Sequence, residues 1–172
     1  MEVAKKVCKE MLEQRQWKIV TDISTFQDNE MFSGTIDDKK TYNVLFLMSP
    51  KLNIANIKDC IKFLQENNVQ HCIIVYNNNI TSSAKRVIAN FVDITFELFA
   101  VDDLQTNITK HYYVPKHTKL NNKEEIEFKT KMGVDIPILS KTDKVCRFYN
   151  FARGDIIKVN RLDGSVAYRI VK

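Results

Sequence analysis

Two nearly continuous apolar runs constrain the fold of this chain more than any other feature of its sequence. The first run covers residues 42–48 and the second covers residues 72–76, and neither contains a carboxylate. Runs of this kind are typical of strands that are buried on both faces of a sheet. The sequence therefore predicts two central strands that other elements cover on both sides.

Apolar residues at helical spacing lie before, between and after these runs. They predict helices over residues 2–14, over residues 53–66 and over a third segment that carries Ala84, Val87 and Ile88. Asn53 is the expected cap of the second helix, and the third is capped by Thr81, Ser82 or Ser83. Residues 77–79 are expected to form a turn.

The remaining part of the first hundred residues predicts two more strands and a loop. Residues 17–23 are expected to form a short strand, and residues 94–98 alternate between apolar and polar side chains as a half-buried strand does. Residues 24–41 are polar and predict a loop or turn. The alternation of helices and strands indicates an α/β domain of about 100 residues.

The composition changes after Lys110, and the last third predicts a small α+β domain. Residues 111–120 are expected to be extended, residues 122–131 to form a charged helix, and Asp143 to cap a short helix over 144–149. Asp163-Gly164 stands between two strand-like runs, 156–159 and 166–171, which is a strong hairpin signal. We therefore predict two domains, residues 1–108 and residues 109–172.

The net positive charge of the chain lies in this last third. Residues 1–110 carry 13 Lys and Arg against 14 Asp and Glu, whereas residues 111–172 carry 13 against 7. The sequence predicts that one face of the hairpin carries Lys158, Arg169 and Arg161. Such a surface suits acidic groups of a partner or of nucleic acid, although a basic face that contacts only solvent has the same composition.

The residues that catalysis or cofactor binding requires are not arranged in a recognisable pattern. The four glycines, at 34, 133, 154 and 164, cannot build a phosphate-binding loop, and the four cysteines, at 8, 60, 72 and 146, are scattered. His111 and His117 lack the spacing of a helical metal-binding pair. No apolar run is long enough to span a membrane. We therefore predict no catalytic residue, no metal, no cofactor and no membrane association.

A small α/β domain often carries a metal-dependent nuclease, so this enzyme class is considered next to the binding functions. Glu127-Phe128-Lys129 has the acid-x-lysine form that such enzymes use at strand ends, but it lies in a segment with a helical pattern. A free-standing nucleic-acid-binding or nuclease-like protein therefore stays open as an alternative. Loss of metal-dependent cleavage on Glu127→Ala would support it.

A set of motifs in the last third resembles a known family. From His111 the chain reads His-Tyr-Tyr-Val-Pro-Lys-His-Thr-Lys-Leu, and from Arg153 it reads Arg-Gly-Asp-Ile-Ile-Lys-Val-Asn-Arg. Between and after these lie Glu124-Glu125, Ile136-Pro137, Asp143, Arg147-Phe148-Tyr149 and Tyr168-Arg169-Ile170. Together they resemble the assembly domain of the fifth-largest subunit of eukaryotic RNA polymerases. The small archaeal polymerase subunit that consists of this domain alone is similar.

The resemblance continues upstream, with departures. Residues 73–85 and 106–109 are similar to the strand–loop–helix and the inter-domain joint of the eukaryotic subunit. Ser82 and Lys144 stand where proline is usual, and both the N-terminal part and the final hairpin are shorter. These departures indicate a compact copy, such as a fast-evolving eukaryote or a large DNA virus encodes.

The resemblance implies a non-catalytic structural subunit of a multisubunit DNA-dependent RNA polymerase. Its first domain would be a jaw-type α/β domain near downstream duplex DNA, with Lys85 and Arg86 close to the DNA backbone. Its second would be an assembly domain that docks on the largest subunit, alongside other polymerase subunits. The residues expected at that docking surface are Val114, Pro115, His117, Arg147, Tyr149, Gly154, Lys158, Arg161, Tyr168 and Arg169.

Within this set the roles differ by chemistry. Arg147, Lys158, Arg161 and Arg169 are expected to make polar contacts, whereas Val114, Pro115, Tyr149 and Tyr168 are expected to pack against apolar surface. The expected location is the nucleus for a cellular protein, and a cytoplasmic viral factory or the virion for a viral one. A transcription adaptor that competes for the same docking surface is a further alternative.

Overall fold

The computed structural model describes residues 1–77, 79–133 and 135–172. The chain forms two compact units, Met1–Thr106 and Asn107–Lys172. In its described residues, the first unit contains three α-helices, α1 (Glu2–Gln14), α2 (Ile54–Glu66) and α3 (Ser82–Asn90), and a 3-10 helix over Val101–Leu104. Its five strands are β1 (Lys18–Phe26), β2 (Asn29–Ile36), β3 (Lys40–Leu47), β4 (His71–Tyr76) and β5 (Thr95–Ala100).

The five strands form one mixed sheet in the order β1-β2-β3-β4-β5. β1, β2 and β3 pair antiparallel, whereas β3, β4 and β5 pair parallel through the helical crossovers α2 and α3. The two apolar runs are the neighbouring strands β3 and β4, with Val44 opposite Ile73 and Leu45 opposite Ile74. The predicted α/β character and the two central strands are confirmed.

Both faces of the sheet are covered, which explains why the central strands are apolar throughout. Leu45 and Ile74 belong to the core that α2 and α3 share with the sheet. Phe32 is paired with Val44 and so lies on the opposite face. Lys9 of α1 lies over the Phe32 ring, 5.1 Å from its centroid, so α1 covers that second face.

The predicted helices and caps of this unit agree with the structure. Asn53 caps α2, and its side chain and that of Asn56 accept hydrogen bonds from each other's backbone N–H. Thr81 is the residue that caps α3, where its hydroxyl accepts a hydrogen bond from the Ala84 N–H at 3.1 Å. Of the predicted turn 77–79, Asn78 lies outside the described residues.

The prediction of a loop over residues 24–41 is wrong, because this segment contains β2 and parts of β1 and β3. Two tight turns connect these strands, at Gln27-Asp28 and at Asp37-Asp38, and all four residues have positive φ. Paired positive φ values define the turn that suits the twist of a hairpin. Because none of the four residues is glycine, the sequence lacks the usual turn signal and neither hairpin was predicted.

The second unit contains α4 (Asn122–Met132), α5 (Lys144–Tyr149) and a sheet in the order β6-β8-β9-β7. Its strands are β6 (Lys116–Lys119), β7 (Ile138–Leu139), β8 (Ile156–Asn160) and β9 (Val166–Val171). The predicted hairpin is confirmed as β8 and β9, and Gly164 has the positive φ, 81°, that its turn requires. The short strand β7 and a 3-10 helix over Ile108–Lys110 were not predicted.

Candidate docking surface of the second unit

The register of the β8–β9 hairpin separates the cations that the sequence places together. Lys158 is opposite Tyr168, whereas Arg169 is opposite Ile157. Since directly opposed residues share a face and neighbours alternate, Lys158 and Arg169 lie on opposite faces. The prediction that one face carries both residues is therefore wrong, and by the same alternation Arg161 continues the face of Arg169.

The face that carries Arg169 is also the face that forms the core of this unit. Ile157, Val159 and Val171 pack there against Cys146 of α5 and against Phe151. Arg169 is half-buried, and its Nη1 donates a hydrogen bond to the Ile138 carbonyl at 3.1 Å, which fixes the side chain toward β7. Arg161 is exposed at the hairpin turn, so its guanidinium is accessible to a partner.

The opposite face carries Lys158 and Tyr168 beside α4. The Tyr168 ring packs against Phe128 with 4.4 Å between ring centroids. A shallow groove of about 240 Å³ opens here, and α4, Leu120 and the two hairpin residues line it. The hairpin thus offers one cationic residue with an aromatic neighbour on this face and two arginines on the other.

The Val-Pro-x-His motif forms a hydrogen-bonded turn that leads into β6. The Val114 N–H donates to the His111 carbonyl at 2.9 Å, and the His117 Nδ1 lies 2.8 Å from the Pro115 carbonyl. A carbonyl only accepts, so the Nδ1 of His117 carries the proton of this hydrogen bond. Val114, Pro115 and His117 are all half-buried, and His117 is paired with Val159 in the sheet.

The residues around α5 are positioned by local hydrogen bonds. Asp143 caps the helix as predicted, accepting from the Val145 and Cys146 N–H groups at 2.8 and 3.3 Å. Tyr149 stacks on Phe151 at 5.1 Å between centroids, so one of its ring faces is already occupied. Arg147 is half-buried on the same helix.

The Arg-Gly-Asp sequence is a structural turn before β8. Gly154 has φ 91° and its N–H donates to the Val171 carbonyl at 2.9 Å. Asp155 is buried, where it accepts from the Ala152 N–H at 2.8 Å and pairs with Lys119 Nζ at 2.8 Å. Sequence reasoning missed the role of Asp155 and Lys119, whose contacts hold this turn.

In the first unit, Lys85 and Arg86 lie on the first turns of α3, and both are exposed. The loops before α2 and α3 are joined by two backbone hydrogen bonds, from Leu52 N–H to the Asn79 carbonyl at 2.9 Å and from Thr81 N–H to the Leu52 carbonyl at 3.0 Å. The N-termini of both helices therefore lie along one edge of the sheet. This edge places two cations next to partial positive charge, which suits phosphate groups.

A buried ionic cluster in the first unit was not foreseen from the sequence. Arg15 pairs with both carboxylate oxygens of Glu97 at 2.7 and 2.8 Å, and His71 Nε2 lies 2.7 Å from the same carboxylate. The side chains of Arg15, Glu97 and His71 are 2%, 11% and 9% exposed. Burial acts to raise the pKa of Glu97, but the Arg15 guanidinium and the His71 hydrogen bond outweigh it and lower that pKa to about 2.

The acid-x-lysine residues that the sequence offers for a nuclease site do not converge in the structure. Glu127 and Lys129 lie two apart on α4, and Lys129 pairs with Glu125 instead. No group of three His, Cys, Asp or Glu within the described ranges could hold a metal ion. All four cysteines are buried, and burial raises the pKa of the Cys8 and Cys60 thiols to about 12. Among the described helices, none has the length and apolar character of a membrane span.

Comparison with known proteins shows which family this chain resembles. Residues 106–171 match the family model described as RNA polymerase Rpb5, C-terminal domain, which covers nearly the whole second unit. A subunit of RNA polymerases I, II and III from Dictyostelium discoideum is 33% identical over 131 residues, spanning 73% of this chain and 66% of that protein. A subunit of RNA polymerase V from Arabidopsis thaliana is 29% identical, over 78% of this chain and 64% of the plant protein.

A viral relative matches over nearly its whole length. A protein of Invertebrate iridescent virus 6 that is named as a DNA-directed RNA polymerase subunit is 30% identical over 185 residues, spanning 96% of each chain. The chain thus spans about two thirds of the cellular relatives and nearly all of the viral one.

The family model and these relatives define a protein of the RNA polymerase subunit class. More specifically, the chain belongs to the RNA polymerase subunit 5 family. The resemblance found in the sequence is confirmed. So, at the level of this family, is the prediction of an RNA polymerase subunit.

Proposed function

We propose that this chain is a non-catalytic structural subunit of a multisubunit DNA-dependent RNA polymerase. Its second unit docks on the largest subunit and contacts other polymerase subunits, and its first unit forms the lower jaw beside downstream duplex DNA. The observation that carries the proposal is the match of residues 106–171 to the Rpb5 C-terminal domain. The protein acts in the nucleus if it is cellular, and in a cytoplasmic viral factory or the virion if it is viral.

The docking part of the proposal rests on the hairpin cations and their aromatic neighbours. Arg161 is exposed, and the guanidinium of Arg169 is held in a defined direction by the Ile138 carbonyl. An arginine at such a surface can bind a partner carboxylate through two parallel hydrogen bonds. Tyr168 and Lys158 give the other face an apolar ring beside a cation.

Reversing the charge of the exposed hairpin arginine should weaken assembly. We expect Arg161→Glu to reduce the affinity of the chain for the remaining polymerase subunits about 10- to 100-fold, because a charge-assisted hydrogen bond is replaced by repulsion. Quantitative pull-down from co-expressed subunits, at stepped salt concentrations, measures this change. Lys144→Glu, the same charge change at the exposed start of α5, is the matched control. Equal loss for both variants would contradict a specific role of Arg161.

The DNA part of the proposal rests on Lys85 and Arg86. Each phosphate contact that is lost lowers the magnitude of the slope of log K against log salt concentration by about 1. The Lys85→Ala/Arg86→Ala variant should therefore lower the magnitude of this slope by about 2. Fluorescence anisotropy of duplex DNA bound to the assembled polymerase measures the slope. The Lys58→Ala/Lys62→Ala variant removes two exposed cations from α2 and should leave it unchanged. An unchanged slope for both pairs would exclude this contact.

A further inference from the structure

Two adjacent tyrosines are presented to solvent at the start of the second unit. Tyr112 is 73% exposed and Tyr113 is 79% exposed. Large aromatic side chains usually bury most of their surface, and two together at this exposure form a conspicuous apolar feature. The site residues that the family resemblance implies do not include Tyr112 or Tyr113.

The backbone that carries these rings is locally ordered. The Val114 N–H closes the turn onto the His111 carbonyl at 2.9 Å, and the Tyr113 N–H donates to His111 Nδ1 at 3.4 Å. The 3-10 helix just before it is capped by Asn107, whose side chain accepts from the Thr109 N–H at 3.0 Å. The rings also contact each other edge to face, with 5.2 Å between centroids and 79° between planes. The backbone that carries the rings is therefore ordered before binding, which lowers the entropy cost of docking.

The surrounding segment is uniformly basic. No Asp or Glu occurs from Leu104 to Lys123, whereas four lysines and two histidines do, and of these lysines Lys119 is already paired with Asp155. Lys116, three residues after Tyr113, is exposed. A partner that covers the tyrosines therefore meets positive charge around them, and carboxylates complement that charge.

We propose that Tyr112 and Tyr113 are an aromatic anchor that inserts into an apolar pocket, rimmed by carboxylates, on the largest polymerase subunit. This inference rests on the proposed function and names the residues that carry most of its docking energy. Buried tyrosines are enriched among the few interface residues that dominate affinity. The anchor leads directly into Val114 and Pro115, so it extends the surface that the family motif defines.

The edge-to-face arrangement favours a protein over nucleic acid as the occupant. Bases of a single strand stack on aromatic rings through parallel faces. Here the edge of one ring covers a face of the other, which hinders stacking of two successive bases on the pair. An apolar pocket in a protein accepts the paired rings as one unit.

The test compares full-length variants in binding to co-expressed polymerase subunits. The Tyr112→Ser/Tyr113→Ser variant should lose about 30-fold or more in affinity, whereas Tyr112→Phe/Tyr113→Phe, which keeps the rings, should lose little. Val92→Ser is the matched control because Val92 is an apolar side chain with 91% exposure in the first unit. Thermal melting of each variant should be unchanged, since these side chains are exposed.

The outcomes separate the anchor from the proposed function. Wild-type binding that the Ser variant loses and the Phe variant keeps supports the anchor. Equal binding of all variants overturns the anchor and leaves the proposed function intact. Failure of the wild type itself to bind overturns the proposed function, and the anchor with it. A Ser variant that retains polymerase binding but loses affinity for a labelled single-stranded oligonucleotide overturns the protein occupant in favour of nucleic acid.

Discussion

Replacing Glu97 with alanine is expected to destabilise the first unit by about 3–5 kcal/mol. The substitution leaves the Arg15 guanidinium buried without its carboxylate, and a buried charge that loses its partner cannot recover solvation. The ion pair joins the end of α1 to β5, while His71 ties the same carboxylate to β4. Chemical denaturation of the full chain, followed by circular dichroism, measures the loss.

An exposed ion pair provides the control for this prediction. Lys62 and Glu66 on α2 are 4.0 Å apart, with side chains 79% and 61% exposed. Pairs of this kind contribute little, so Glu66→Ala should change the free energy of unfolding by less than about 1 kcal/mol. Similar losses for Glu97→Ala and Glu66→Ala would contradict a special role of the buried cluster.

The same cluster predicts how stability depends on pH. The pKa of Glu97 is lowered from 4.5 to about 2 in the folded chain, so folding favours its charged form. Its contribution, on the order of 3 kcal/mol, is fully present above pH 4.5 and is lost as the pH falls from 4.5 through 2. Glu97→Gln should flatten the acid side of the stability profile. A profile that the substitution does not change would refute this assignment.

Replacing Gly34 with alanine is the second substitution with a large expected effect. A Cβ at this position would lie 2.0 Å from the Lys18 carbonyl oxygen and 2.6 Å from the Tyr42 hydroxyl. The carbonyl belongs to the neighbouring strand β1 and cannot move without breaking the pairing of Ile19 with Gly34. Overpacking of this kind should cost about 3 kcal/mol, measured as a lower midpoint of denaturation.

Gly133 distinguishes this steric effect from the general cost of replacing glycine. A Cβ there would meet no atom within 4 Å, although its φ of 73° disfavours alanine. Its backbone (φ 73°, ψ −164°) lies in a region that is nearly exclusive to glycine, so Gly133→Ala should cost about 1–2 kcal/mol through backbone strain alone. A smaller loss of stability for Gly34→Ala than for Gly133→Ala would contradict the close approach of β1 and Tyr42 to Gly34.

The sequence predicts most of this fold because its strongest patterns coincide with real elements. The runs at 42–48 and 72–76 became β3 and β4, and Asp163-Gly164 became a hairpin turn. The antiparallel strand β2 escaped prediction because only Phe32 among its residues is strongly apolar and fully buried. Its turns use Gln27-Asp28 and Asp37-Asp38, which carry positive φ without the glycine that usually signals it.

The candidate site was predicted less completely than the fold. Motif resemblance identifies residues but not the direction of their side chains, so Lys158 and Arg169 were assigned to one face and lie on two. The buried cluster joins residues from distant parts of the chain, Arg15, His71 and Glu97. No local sequence pattern indicates that these residues are in contact. The exposure of Tyr112 and Tyr113 likewise depends on the turn at His111, which only the structure shows.

The measurement that tests the central proposal most directly is the composition of the complex that forms around this chain in its native source. The tagged protein is purified at moderate salt, treated with nuclease, washed at raised salt and quantified against the proteins that remain. We expect equimolar recovery with the two largest polymerase subunits. Recovery in clearly substoichiometric amounts would favour an adaptor, and recovery alone or only with nucleic acid would contradict a core subunit.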